Sequence, residues 1–187
     1  KDEPFIFGHF PIVRKVLKEP KEYLLVTVLR EPVERFISQF KYYLATRRIS
    51  QLEDTQVLSL EEIECLWKNY LNSNLAVFHA NTLTSYLNDD ISLGIGTEAS
   101  SDRAIDNLKY FHIVGFLDQL EIFAEQLTQR IGSEVTIASK NQTHDKMSTK
   151  QSEIFREFFN EEKLSIINEM CFYDKKVYQY ARSLQTY

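Results

Sequence analysis

Cysteine is scarce. Cys65 and Cys171 are the two in 187 residues, too few and too far apart for a disulfide framework. Long apolar runs are missing as well: no stretch reaches the roughly 18 residues that a membrane-spanning helix needs, and no secretory h-region opens the sequence. Positive charge is in deficit. Lys and Arg number 22 against 27 Asp and Glu, a net charge of −5, which argues against a nucleic-acid partner and a broad polyanion-binding surface. His79, His112 and His144 show no metal-ligand spacing with one another or with either cysteine, so no metal is expected. No repeat, linker or low-complexity tract divides the chain.

What is present is the patterning of an α/β domain. With 43% apolar residues the chain can bury one core, and residues 1–187 read as a single domain. Strand and helix signals alternate. Residues 23–29 form an apolar, β-branched run, expected as a strand buried on both faces of a parallel sheet. A helix over 32–48 follows. Ser59 and Glu62 form a capping-box signature for a helix to about residue 73, with Ile63, Leu66, Trp67, Tyr70 and Leu71 inward. A short helix is expected over 79–88, with Asn81 placed to cap it, and a surface loop over 89–100. Ser101 is read as the cap of a helix to about residue 110, before a strand at 112–117. The helix Leu120–Ile131 ends at Gly132, a C-cap. Two helices, 149–159 and 161–184, close the chain, with Cys171 on an apolar face. Gly94 to Ala99 fits a degenerate Gly-x-Gly-x-x-Ala fingerprint, but no convincing strand precedes it and no apolar helix follows, so dinucleotide binding is not expected there.

The most informative segment runs from Tyr23 to Phe40. A strand ends on Arg30, the chain turns at Pro32, and a helix carries Ser38 eight residues past that arginine. Pro32 suits the first helical turn, where its missing N–H is not needed. Val33, Phe36, Ile37, Phe40 and Leu44 take core-facing positions, and Glu34, Arg35, Ser38 and Lys41 fill a polar stripe. Ligands of open α/β sheets bind beyond the carboxyl ends of the strands, where Arg30 lies. Its planar fork suits a phosphate, and a helical serine hydroxyl adds a donor. Arg30, Arg35, Lys41, Arg47 and Arg48 make a local basic patch. A core strand, a helix and an Arg30–Glu34 surface pair would account for the same pattern.

Leu29 to Ser38, followed by Phe40, Tyr42 and Tyr43, resembles the 3′-phosphate-binding motif of sulfotransferases that use 3′-phosphoadenosine 5′-phosphosulfate (PAPS), and most of all the carbohydrate sulfotransferases that include the heparan sulfate 2-O-sulfotransferases. Gly8-His9-Phe10-Pro11-Ile12, Asn81 to Leu87, Ala104 to Leu108 with Ile113 to Phe116, Lys140 to Thr143, and Asn168 to Tyr178 resemble further elements of that family in its order. The resemblance implies a P-loop-NTPase-like parallel sheet flanked by helices. It also implies an upstream strand and phosphate loop holding a Lys and a Ser or Thr. The sequence opens at Lys1-Asp2-Glu3-Pro4, so this strand–loop element is expected to be absent from the chain, and Lys1 is not assigned its role.

The implied activity is transfer of a sulfuryl group from PAPS to an acceptor hydroxyl, expected on a carbohydrate. Arg30 and Ser38 would hold the 3′-phosphate, Lys140 and Asn141 would border the nucleotide, and His9 would take the acceptor proton. A histidine suits that task near neutral pH. Tyr42, Tyr43 and Trp67 could line a sugar platform or pack in the core. A non-catalytic nucleotide- or glycan-binding remnant, or an interaction module on the same fold, remains the alternative. A P-loop kinase ranks lower, since no strand-end Asp is evident as a metal partner. The expected compartment is a reducing cytoplasm, or the Golgi lumen for a eukaryotic protein with a removed anchor. Asn141-Gln142-Thr143 would be a glycosylation acceptor only in the secretory case.

Overall fold

The computed structural model describes residues 24–49, 57–88, 95–137 and 148–186. Among them the chain is predominantly helical, around a two-stranded parallel sheet. Strand β1 (Val26–Leu29) leads into helix α1 (Pro32–Ile49). Helices α2 (Leu60–Leu71), α3 (Asn74–Ala80), α4 (Thr82–Leu87) and α5 (Glu98–Leu108) then lie between β1 and β2 (Ile113–Phe116). A 3₁₀ turn at Leu117–Gln119 precedes α6 (Leu120–Ile131), and α7 (Thr149–Phe158), α8 (Glu161–Met170) and α9 (Phe172–Ser183) complete the helices. The strands pair from Val26↔Ile113 to Leu29↔Phe116. The α/β expectation holds at this level, with a parallel sheet and helical connections.

Local chemistry accounts for most boundaries. Ser59 and Glu62 cap α2 reciprocally, as their spacing predicts. Gly132 ends α6 at φ 71°, a left-handed conformation that glycine adopts without a Cβ penalty. Gly115 of β2 answers a different demand: a Cβ there would lie 2.4 Å from the Phe123 ring, so its absence lets α6 pack directly on the sheet.

Several expectations need correction. The helix expected over 79–88 is α4 alone, which Asn81 separates from α3, and the 161–184 helix breaks at Cys171. Thr97, not Ser101, caps α5, through a reciprocal pair with Ser100. Ser101 is buried inside that helix and donates to the Glu98 carbonyl. β1 is not buried on both faces, because Val28 is 38% exposed.

The core has three parts. Phe36, Phe40, Tyr43 and Leu44 of α1 meet Ile63, Trp67 and Tyr70 of α2, Phe155 and Phe158 of α7, and Ile167 with Cys171. Phe40 lies edge-on to Trp67 at 4.9 Å between ring centroids, an arrangement aromatic pairs prefer. Leu29 and Phe116 of the sheet join α4, α5 and α9 in a second cluster, and α6 covers Ile113 in a third. Burial of Tyr43 and Trp67 removes both from any sugar platform, whereas Tyr42 stays 62% exposed. No helix among the described residues is long and apolar enough to cross a membrane.

Candidate functional site at the carboxyl end of β1

Arg30 follows the last residue of β1 and stands at the carboxyl edge of the sheet. Glu31 closes the start of α1: its side-chain Oε2 accepts from the Glu34 amide at 2.8 Å, and its carbonyl accepts from the Arg35 amide. Pro32, fully buried, needs no partner for a nitrogen without hydrogen. The amide positivity at this helix start is therefore met by a carboxylate of the chain itself. A phosphate here has to be gripped by side chains.

Helical spacing puts Glu34, Ser38 and Lys41 on one side of α1. Arg30 Nε lies 3.9 Å from Glu34 Oε2, a loose surface pair. That Nε is buried and makes no hydrogen bond to a described residue. Ser38 is half-buried further along the helix. Lys41 Nζ sits over the Phe155 ring, 5.2 Å from its centroid. Burial, and then the charge of Arg30, push the Lys41 pKa below that of an ordinary lysine. An unmatched buried guanidinium nitrogen beside a second, partly desolvated cation is a donor set that fits a phosphate.

Arg35 does not belong to the polar stripe. Its Nη2 turns inward, donating to Asp174 Oδ2 at 2.7 Å and to the His79 carbonyl at 2.8 Å. Asp174 is wholly buried and also accepts from the Leu83 and Thr84 amides at 2.9 and 2.7 Å. The Asp174 carboxylate thus accepts from three donors, the Arg35 guanidinium and two amides. Burial raises the Asp174 pKa, and the Arg35 charge and the two amides oppose that rise. Asp174 thereby serves as the cap of α4 from a distant helix. Asn81, which holds the cap position, makes no side-chain cap bond and donates its Nδ2 to the Val77 carbonyl.

His79 and Tyr70 adjoin this pair. The Tyr70 hydroxyl and His79 Nδ1 are 2.7 Å apart. Burial and the neighbouring Arg35 push the His79 pKa down to about 4, and burial pushes Tyr70 well above its usual range. The two groups share a hydrogen bond whose direction follows the tautomer of the neutral ring. His112, by contrast, takes the Leu25 amide on Nδ1 and extends the pairing of the strands. Both histidines serve the fold. Cys171 is buried against the Pro32 carbonyl, its thiol pushed up to about 12, chiefly by burial.

A second arginine reaches the same edge of the sheet. Arg182 of α9 lies over the Phe116 ring at 3.9 Å and is neutralised by both oxygens of Asp118, with the Tyr178 hydroxyl accepting from it too. Nothing in the sequence pattern marked it, because its counter-charge, Asp118, lies 64 residues away.

Of the predicted site residues, Arg30 follows the last residue of β1 and Ser38 is half-buried on α1, with no hydrogen bond between the two. His9, Lys140 and Asn141 lie outside the described residues, as do the side chains of Arg47 and Arg48. Among the described residues no cluster of three or more His, Cys, Asp or Glu could hold a metal ion. No family model, no curated protein and no solved structure matches this chain.

Proposed function

We propose that the chain is the core of a PAPS-dependent sulfotransferase domain with a P-loop-like arrangement, acting on a hydroxyl of a carbohydrate acceptor. The observation that carries this reading is the placement of Arg30 at the carboxyl end of a parallel strand, with its buried Nε free of hydrogen bonds among the described residues. Ser38 follows two turns along the next helix. In this reading Arg30 and Ser38 bind the 3′-phosphate, and Lys140 and Asn141 border the nucleotide. His9 accepts the proton of the attacking hydroxyl. The acceptor oxygen forms a bond to sulfur as the bond from sulfur to the 5′-phosphate oxygen breaks, leaving 3′-phosphoadenosine 5′-phosphate. The protein's part is positioning and electrostatic stabilisation, as in phosphoryl transfer.

The test is transfer of labelled sulfuryl from PAPS to a panel of carbohydrate acceptors, with the full-length protein and its His9→Ala variant. Transfer that His9→Ala abolishes supports the proposal. Nucleotide binding without transfer to any acceptor would favour a non-catalytic nucleotide-binding module instead.

A further inference from the structure

We propose that Lys41 is a third ligand of the Arg30–Ser38 site, giving it two cations for a terminal phosphate monoester; this rests on the nucleotide reading above. The start of α1 is closed by Glu31, so side chains and not helix amides must supply the grip. Lys41 continues the line of Ser38 one turn further along the same side of α1. Its ammonium is held over the face of Phe155 from α7, which limits its freedom before any ligand arrives.

The two cations stand close enough for the charge of Arg30 to act on Lys41. Glu34 approaches Arg30 at 3.9 Å, and no carboxylate among the described residues comes within ion-pair distance of Lys41. Crowding two partly desolvated cations is unfavourable for the unliganded fold and favourable once an anion joins them. Glu31 and Glu34 stand at the same helix start, and Glu31 Oε2 is already engaged by the Glu34 amide. A phosphate monoester, with nearly two negative charges at neutral pH, can engage both cations at once, whereas a singly charged diester gains less from the second.

The test is calorimetric titration of this chain with 3′-phosphoadenosine 5′-phosphate and, separately, with adenosine 5′-phosphate. Lys41→Met keeps the apolar stem against Phe155 and removes the charge. It should weaken the first ligand about tenfold and leave the second unchanged. Lys41→Arg should retain the preference, and Lys41→Gln repeats the test should the methionine variant fail to fold. Wild-type affinity in Lys41→Met and Lys41→Gln, alongside a loss in Arg30→Ala, would overturn the role of Lys41 while sparing the site. A wild-type chain that does not prefer the 3′-phosphorylated ligand would overturn both.

Discussion

Arg35 of α1 and Asp174 of α9, 139 residues apart in sequence, form a buried ion pair with Nη2 2.7 Å from Oδ2. The same carboxylate caps α4 through the Leu83 and Thr84 amides. Three helices are thus registered on one charge. One of them is α1, which carries Ser38 and Lys41, so the pair also fixes where the candidate phosphate ligands stand.

Breaking this pair should be costly. Asp174→Asn leaves the Arg35 guanidinium buried without its counter-charge and is expected to destabilise the fold by about 3–5 kcal/mol. Arg35→Met should cost a similar amount. Urea denaturation of both variants and of the double variant forms a cycle, with a coupling of about 1–3 kcal/mol expected. Additive single effects would contradict the pairing.

Much of this architecture was legible because its signals are local. The strand before Arg30, Pro32 at the first turn of α1, the Ser59–Glu62 capping box and Gly132 after α6 each lie within a few residues of what they control. Arg35 was not legible. Its spacing puts it in the polar stripe, and the partner that turns it inward lies on the last long helix. The break at Cys171 has no proline or glycine to announce it. Thr97 prevailed over Ser101 as a cap because Ser100 stands three residues after Thr97 and completes a reciprocal pair. Trp67 and Tyr43 have the composition of a sugar platform, and only packing shows that both are core. At the candidate site, spacing and resemblance single out Arg30 and Ser38, whereas the closure of the helix start by Glu31 depends on a side-chain bond that no pattern announces.

His79 should make stability depend on pH. Its pKa is about 4 in the fold and about 6.5 in an unfolded chain. Between those values the unfolded state takes up the proton and the native state does not. The contribution is therefore complete above about pH 6.5 and is lost progressively as pH falls towards about 4. Denaturant midpoints across this range should fall more steeply for the wild type than for His79→Gln. Parallel curves would contradict the assignment.

Gly115→Ala should be destabilising by about 1–3 kcal/mol, since the new methyl group would meet the Phe123 ring at 2.4 Å and force α6 away from the sheet. Chemical denaturation measures this directly. A neutral effect would mean that Phe123 repacks freely.

Glu34 competes with any anion for Arg30. Its side chain is 68% exposed and only loosely paired, so Glu34→Gln should leave stability nearly unchanged. The same change should tighten binding of 3′-phosphoadenosine 5′-phosphate by about two- to fivefold, as expected for removal of an exposed charge worth up to about 1 kcal/mol. Weaker binding in a calorimetric titration would contradict an anion seat beside Arg30.

If Arg30 holds the phosphate of a nucleotide, calorimetric titration of wild type and Arg30→Ala with 3′-phosphoadenosine 5′-phosphate will separate the two proteins. Loss of one charge-assisted contact of about 1.5–3 kcal/mol should weaken binding about ten- to a hundredfold. Equal affinity in the two proteins, or no binding by the wild type, would contradict it.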